Sequence, residues 1–321
     1  MVKYMLTRIL MALFVLVFVF VIIYFASSMT MLRYWGRPPY DVWVELEISR
    51  ARFIIYTEGI LTEWNWGQTG SYYENVWNYS WRRMWVTTRI NLIALAIYLP
   101  GSIILGILTA IKPKSLFDKS VGAITMVFGS VPHFILMYLL IIFLGIRNNW
   151  LPFQFPGFRP SPTHDITTII LGFVIPMIAL CMPAIFRLMR LVRAECIDAQ
   201  QESYFLLCKT KGLSKNQAIR RHVVRNSAVT VMPELTPTFL TVLGGSFFVE
   251  MIYGIDGAAR LLFRSVLTMG PAGYVPRIDI PMAMAITMFY TAFGLVFALI
   301  VDICYPLVDP RIRVGSKKTN I

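Results

Sequence analysis

Six long apolar stretches constrain the fold of this chain more than any other feature of its sequence. A helix that crosses the hydrocarbon core of a bilayer needs about 20 mostly apolar residues. Stretches of this kind occur at residues 9–27, 90–111, 121–146, 166–186, 229–253 and 280–308. Several contain glycine or proline, which membrane helices tolerate where neighbouring helices satisfy the freed backbone groups. The sequence therefore predicts an all-α integral membrane protein with six transmembrane helices.

Composition supports this prediction and excludes other classes. Hydrophobic residues make up 57% of the 321 residues and charged residues 15%, whereas a soluble domain has about 25% charged residues. A disordered chain would be less hydrophobic and more charged. A net charge of +13 on so apolar a chain favours a lipid bilayer as partner and argues against nucleic acid. The four cysteines lack a CxxC spacing and the three histidines are scattered, so no metal site is expected.

The first apolar stretch has two interpretations, a cleaved signal peptide and an uncleaved anchor helix. Its apolar run exceeds the about 7–15 residues of a signal-peptide core. The SSMTM sequence at residues 27–31 is also a poor cleavage site. These features favour an uncleaved anchor at residues 1–29.

The distribution of lysine and arginine predicts the orientation. Cytoplasmic connections of membrane proteins carry an excess of these residues. Here they are concentrated in the tails and short connections on the side of both termini, above all at residues 187–228. We therefore expect both termini in the cytoplasm and residues 30–89 outside. All but one of the eight tryptophans lie at residues 31–85, which predicts either an interfacial belt or a subdomain that contacts a substrate-binding partner.

The connection at 187–228 has the pattern of a helix, a glycine turn and a second helix. Gly212 follows a basic helix end, where glycine commonly terminates a helix. Ser214 and Gln217 have the spacing of a capping box that opens the next helix. On a helix, Tyr204, Leu207, Cys208 and Lys211 would share one mostly apolar face. A basic loop on anionic headgroups is the simpler alternative, whereas a DNA-binding helix-turn-helix is disfavoured because membrane spans flank it.

The chain has no GxxxxGK[ST] phosphate loop and no pairing of a nucleophile with a base. We therefore expect that it is not an enzyme and holds no cofactor of its own. Energy for any transport would come from a partner or from an ion gradient.

Several motifs, taken in order, resemble those of ABC importer permeases. The resemblance is strongest to the first permease subunit of the dipeptide, oligopeptide and nickel importers. In the 187–228 connection the matching residues are Arg190, Arg193, Ala194, Tyr204, Lys211, Gly212, Leu213, Ser214, Arg221, His222, Arg225 and Asn226. Further matches lie at residues 65–71, 130–134 and 150–152, and at Glu250, Gly257, Arg260, Asp302, Tyr305, Asp309, Pro310 and Arg311. The chain departs from the family pattern at Gln68, Leu206, Leu207, Cys208, Thr210, Asp256 and Ala259.

The resemblance implies a type I ABC importer permease in a bacterial cytoplasmic membrane. It implies a heterodimer with a second, homologous permease, two cytoplasmic ATPase subunits that bind ATP and Mg²⁺, an external substrate-binding protein, and a dipeptide or oligopeptide substrate. The residues expected to couple to the ATPase are Tyr204, Leu207, Cys208, Lys211, Gly212, Leu213 and Ser214. Structural or gating roles are expected for Glu250, Gly257, Arg260, Asp302, Asp309 and Arg311. No metal ligand is expected.

The expected organisation is an anchor helix at 1–29, an extracytoplasmic aromatic-rich segment at 30–89, a five-helix core at 90–308 and a cytoplasmic tail at 309–321. Two alternatives stay open. The first is a self-sufficient secondary transporter or channel, which should have inverted repeats and mid-bilayer charges. The second is an importer of the same class that carries nickel or metal chelates.

Overall fold

The computed structural model describes residues 2–34, 42–68, 74–162, 164–266, 268–270, 273–275 and 279–308. Within these residues the chain is almost entirely helical. The helices are α1 (Val2–Tyr34), α2 (Val42–Glu63), α3 (Val76–Ile111), α4 (Leu116–Phe128), α5 (His133–Leu140), α6 (Ile166–Ala199), α7 (Ser203–Thr210), α8 (Lys215–Ala218), α9 (Val224–Tyr253), α10 (Ala258–Val266) and α11 (Ile280–Val308). Two π-helical segments extend this set: Ile141–Arg147 continues α5, and Ile219–Val223 joins α8 to α9. The strands β1 (Thr268–Gly270) and β2 (Gly273–Val275) form an antiparallel hairpin.

Five described helices are long and apolar enough to cross a membrane, and a bent pair of helices brings the number to six if it counts as one span. The five segments are Tyr4–Ser28, Val76–Ile111, Ile166–Ala199, Asn226–Tyr253 and Ile280–Pro306. They coincide with five of the six predicted stretches. The predicted all-α integral membrane fold is therefore confirmed.

The predicted third span, residues 121–146, is bent into two helical segments. The segments Leu116–Phe128 and His133–Arg147 are bent by 98° at the break between them. Pro132 lies at this break with an extended backbone (φ −59°, ψ 144°), and a proline has no N–H with which to continue the preceding helix. Next to the break, the Ser130 hydroxyl donates to the Met126 carbonyl at 2.9 Å. Hydropathy alone does not reveal such a break because both halves are apolar.

Several helices are longer than their apolar stretches, α3 and α6 among them. α3 has 36 residues and α6 has 34, which at 1.5 Å per residue gives about 54 Å and about 51 Å. Both exceed the hydrocarbon thickness of about 30 Å. Arg187, Arg190 and Arg193 therefore lie on α6, which continues beyond its apolar stretch into the predicted connection at 187–228.

The chain divides into two compact units. The first comprises Ile90–Ile255 and the described residues from Val296 onward. Its core lies where α6 packs against α9 and where α5 packs against both. Gly106 on α3 shows how closely these helices approach each other, because a Cβ atom there would lie 2.7 Å from side-chain carbons of Val192 on α6.

The second unit comprises Val2–Arg89 and Asp256–Leu295. Its core combines Trp66, Met84, Leu261 and Ile286 with other buried apolar side chains. Trp66 is buried and stacks on Trp77 with a centroid separation of 6.0 Å. At least this part of the aromatic segment is therefore a packed core rather than a belt of separate interfacial rings. Trp35 lies outside the described residues.

Candidate functional site

The predicted glycine turn after α7 is confirmed. Gly212 has a positive φ of 78°, which side chains with a Cβ rarely adopt. The Leu213 N–H donates to the Cys208 carbonyl at 3.2 Å, the bond that closes a Schellman motif across a C′ glycine. A Cβ atom at Gly212 would have no heavy atom within 4 Å. The backbone conformation, and not crowding, therefore requires glycine here.

The predicted capping box that follows the turn is also confirmed. The Ser214 hydroxyl accepts from the Gln217 N–H at 3.4 Å, and the Gln217 side chain accepts from the Ser214 N–H at 3.1 Å. The helix that opens at this capping box begins with α8 at Lys215. It continues from α8 through the π-helical segment Ile219–Val223 into α9. The turn is thus joined directly to a long membrane helix.

The predicted apolar face of α7 is partly wrong. Cys208 is only 7% exposed and packs into the core of the first unit together with Phe205, which is 3% exposed. Tyr204 is partly buried against the same core, and this burial raises the pKa of its phenol above the ordinary value. Leu206 and Leu207, by contrast, are each 61% exposed. The surface that α7 offers to a partner is therefore this leucine pair.

The other predicted coupling residues lie around the turn. Lys211, Gly212 and Ser214 are exposed. Leu213 is partly buried and packs against the core beneath α7. The exposed leucine pair and the exposed turn thus form one short surface, which we call the coupling surface: Leu206, Leu207, Lys211, Gly212 and Ser214.

A partly buried ion pair connects α4 to α6. Arg193 on α6 donates to both carboxylate oxygens of Asp118 on α4, at 2.6 and 2.7 Å. Asp118 also accepts the Lys114 N–H at 2.8 Å, and Lys114 has a positive φ of 66°. The carboxylate therefore fixes the α3–α4 connection to α6. This ion pair was not predicted from the sequence, because its two residues are distant along the chain and no local spacing relates them.

A second brace joins the ends of α3 and α6. The Gln200 side-chain amide donates to the Ala110 carbonyl at 3.1 Å and to the Cys196 carbonyl at 2.8 Å. With the Asp118–Arg193 pair, this bond holds α3, α4 and α6 together at the base of α7. A junction fixed in this way can transmit a displacement of α7 to several membrane helices as a rigid body.

The predicted structural or gating residues lie in several separate parts of the chain. Glu250 is fully buried near the end of α9, about 39 Å along that helix from its start at 1.5 Å per residue. In the second unit, Gly257 is buried and Arg260 is partly buried. Asp302 is partly buried on α11. Asp309 and Arg311 lie outside the described residues.

Comparison with protein families identifies the class of this chain. Residues 102–314 match the model of the binding-protein-dependent transport system inner membrane component. The chain belongs to this family. The membership confirms the predicted resemblance to ABC importer permeases and a multi-pass location in the inner membrane. It favours an importer component over a self-sufficient secondary transporter or channel.

Several relatives of this chain are named as permease proteins of peptide transport systems. The dipeptide transport system permease protein DppB of Lactococcus lactis is 29% identical over 232 residues, which are 72% of this chain and 70% of that protein. The oligopeptide transport system permease protein OppB of Escherichia coli is 24% identical over 208 residues, 65% of this chain and 62% of that protein. A chain in a solved inward-facing structure of the MetNI methionine ABC transporter is 15% identical, with a TM-score of 0.48 over 71% of this chain and 94% of that one.

Proposed function

We propose that this chain is a permease subunit of an ATP-driven importer that moves dipeptides or oligopeptides across the cytoplasmic membrane. The observation that carries the coupling part of the proposal is the exposed pair Leu206 and Leu207 on α7, a short helix that ends in a glycine turn. Two adjacent exposed leucines outside the membrane spans suit a protein partner better than water. The names of the relatives support the peptide substrate.

The partners follow from what this chain lacks and from its family. Two separate ATPase subunits bind ATP and Mg²⁺, since this sequence has no phosphate loop. Their movement pushes on the coupling surface, and the braces at Asp118 and Gln200 pass the push to α3, α4 and α6. A second, homologous permease completes the translocation path, and both termini lie in the cytoplasm.

The remaining regions have supporting roles in this proposal. The aromatic segment at 30–89 contacts the external substrate-binding protein. Glu250, Gly257, Arg260, Asp302, Asp309 and Arg311 have structural or gating roles in the permease. Glu250 suits a structural role better than that of a solvated ligand because it is fully buried.

The test is to replace both exposed leucines, as Leu206→Ser with Leu207→Ser, in the complete transporter reconstituted in vesicles. We expect the ATPase subunits to be lost on purification, and peptide uptake to fall with them, since the apolar contact is gone. The matched control for ATPase retention is Leu61→Ser on α2, where the side chain is 79% exposed; peptide uptake is not compared there, because residues 30–89 have a separate proposed partner.

Three results would contradict parts of the proposal. If the ATPase subunits co-purify normally with the double variant, the proposed coupling role of α7 is excluded. An equal loss in the Leu61→Ser control would show that any exposed leucine has the same effect. Uptake of a nickel chelate without uptake of any peptide would exclude the peptide substrate and leave the coupling role intact.

A further inference from the structure

A cavity of about 370 Å³ lies at the break between α4 and α5. Its polar side chains come from the break, α5, α6 and α9, and are Ser130, His133, Arg187, Arg190, Thr238 and Thr241. The volume falls within the range of small-molecule sites, about 300–1,000 Å³. The coupling surface and the gating residues leave this cavity without a role.

Two guanidinium groups make the cavity positive. Arg187 and Arg190 lie about one turn apart on α6, so their side chains leave the helix on the same face. Arg187 Nη1 donates to Thr241 Oγ1 at 3.3 Å, which directs this guanidinium towards α9. The described residues that line the cavity include no carboxylate. Neither Arg187 nor Arg190 forms a salt bridge with an acid in the described part of the chain.

The helix break adds further positive character. α5 begins at His133, and Pro132 before it provides no side-chain cap. The first N–H groups of a helix lack partners within the helix, and the positive end of its dipole lies there. Pro183 and Ala184 give the same cavity an apolar wall. The site therefore suits an anionic group attached to a small apolar one.

We propose that this cavity binds the free α-carboxylate of the peptide cargo, an inference that rests on the proposed transport of peptides. A transporter of peptides with varied side chains can use only groups that every peptide has. Of these, the carboxylate is the one that arginine binds through two parallel hydrogen bonds, whereas the α-ammonium group is repelled. The phosphate of a lipid headgroup is also an anion and is the competing ligand.

The experiment places a thiol in the cavity by Ser130→Cys in the complete reconstituted transporter. Labelling at position 130 is followed by mass spectrometry with an anionic and a cationic methanethiosulfonate of similar size. Anionic labelling is expected to be several-fold faster than cationic labelling. Added tri-alanine should slow anionic labelling several-fold, and tri-alanine amide, which lacks the carboxylate, should not.

Variants assign the effect to the arginines. Arg190→Gln in the Ser130→Cys background should abolish both the preference for the anionic reagent and the protection by tri-alanine. Arg190→Lys should retain part of the preference for the anionic reagent and part of the protection by tri-alanine. The positive charge remains in this variant, whereas the bidentate hydrogen-bond geometry is lost. The matched control is Arg147→Gln, which removes an equal charge from an exposed arginine that does not line the cavity.

Vesicle composition separates the two sources of an anion. The effects should be the same in phosphatidylcholine and in phosphatidylcholine with phosphatidylglycerol. Protection that comes from phosphatidylglycerol and not from tri-alanine would identify a headgroup site and overturn the proposal. Equal protection by tri-alanine and its amide, or none by either, would also overturn it.

Uptake of tri-alanine by the unmodified transporter tests the proposed function separately. Uptake without carboxylate-dependent protection overturns the cavity assignment and leaves the peptide importer intact. Protection that depends on the carboxylate and on Arg190, in a transporter that takes up no peptide, overturns the peptide importer and with it the identity of the cargo.

Discussion

Gly212 is the residue at which the coupling surface depends most on backbone conformation. Its φ of 78° lies in the left-handed region, where a Cβ atom costs about 1 kcal/mol or more. Its exposure and the empty space around it mean that a larger side chain meets nothing within this chain. A substitution there acts through the turn and through whatever partner covers it.

We expect Gly212→Asp to leave the permease inserted and paired but to abolish substrate-stimulated ATP hydrolysis and uptake together. The matched control is Gly212→Asn, which has nearly the same size, tolerates the left-handed conformation and carries no charge. Asparagine should retain more activity than aspartate. Uptake and ATPase activity in reconstituted vesicles measure this, and normal uptake with aspartate would mean that the turn contacts no partner.

The Asp118–Arg193 pair is an interaction that local sequence patterns do not predict. Both residues are visible in the sequence, Asp118 near the start of an apolar stretch and Arg193 in a motif that resembles the family pattern. Their pairing depends on how α4 and α6 pack, and nothing in the spacing of either segment specifies it. A long-range ion pair of this kind requires the fold.

We expect Asp118→Asn to lower the free energy of unfolding by about 1–3 kcal/mol, because two charge-assisted hydrogen bonds to a largely buried carboxylate are weakened. The matched control is Asp256→Asn, which breaks the more exposed Arg83–Asp256 pair at 3.1 Å and should cost less than about 1 kcal/mol. Thermal unfolding of the detergent-solubilised permease compares them. An equal effect of the two would show that the Asp118 pair is not a brace.

At the scale of the element, the start and end of the coupling turn could be predicted, and the face of α7 could not. Gly212 and the Ser214–Gln217 spacing act over a few residues, and so they are readable from the sequence. Residues 204–208 are all apolar or weakly polar. No strongly polar residue among them marks the exposed side of the helix, so the sequence does not show which side is buried. Packing places Phe205 and Cys208 inside and leaves Leu206 and Leu207 outside.

We expect Phe205→Ala to destabilise the permease by about 3–5 kcal/mol, as large-to-small changes in a core do. Leu207→Ala should leave the stability nearly unchanged and weaken ATPase retention instead. Unfolding of the purified permease and co-purification of the ATPase subunits separate the two effects. The opposite pattern would mean that α7 turns its other face outward.

At the scale of the whole molecule, hydropathy predicted the membrane class and the position of five spans. It did not predict the bend at Pro132, because the segments on both sides of the break are apolar. The cavity at that break was missed for the same reason. The order of the motifs along the chain, by contrast, was enough to indicate the family.

In the proposed mechanism, α7 is the surface through which an ATPase partner acts on this permease. The most direct measurement is photo-cross-linking in the assembled transporter, with a benzophenone amino acid in place of Leu207 and, as control, in place of Leu61. We predict a covalent product with an ATPase subunit from position 207 and none from position 61. No ATPase product from position 207, or equal yields from both positions, would contradict the account.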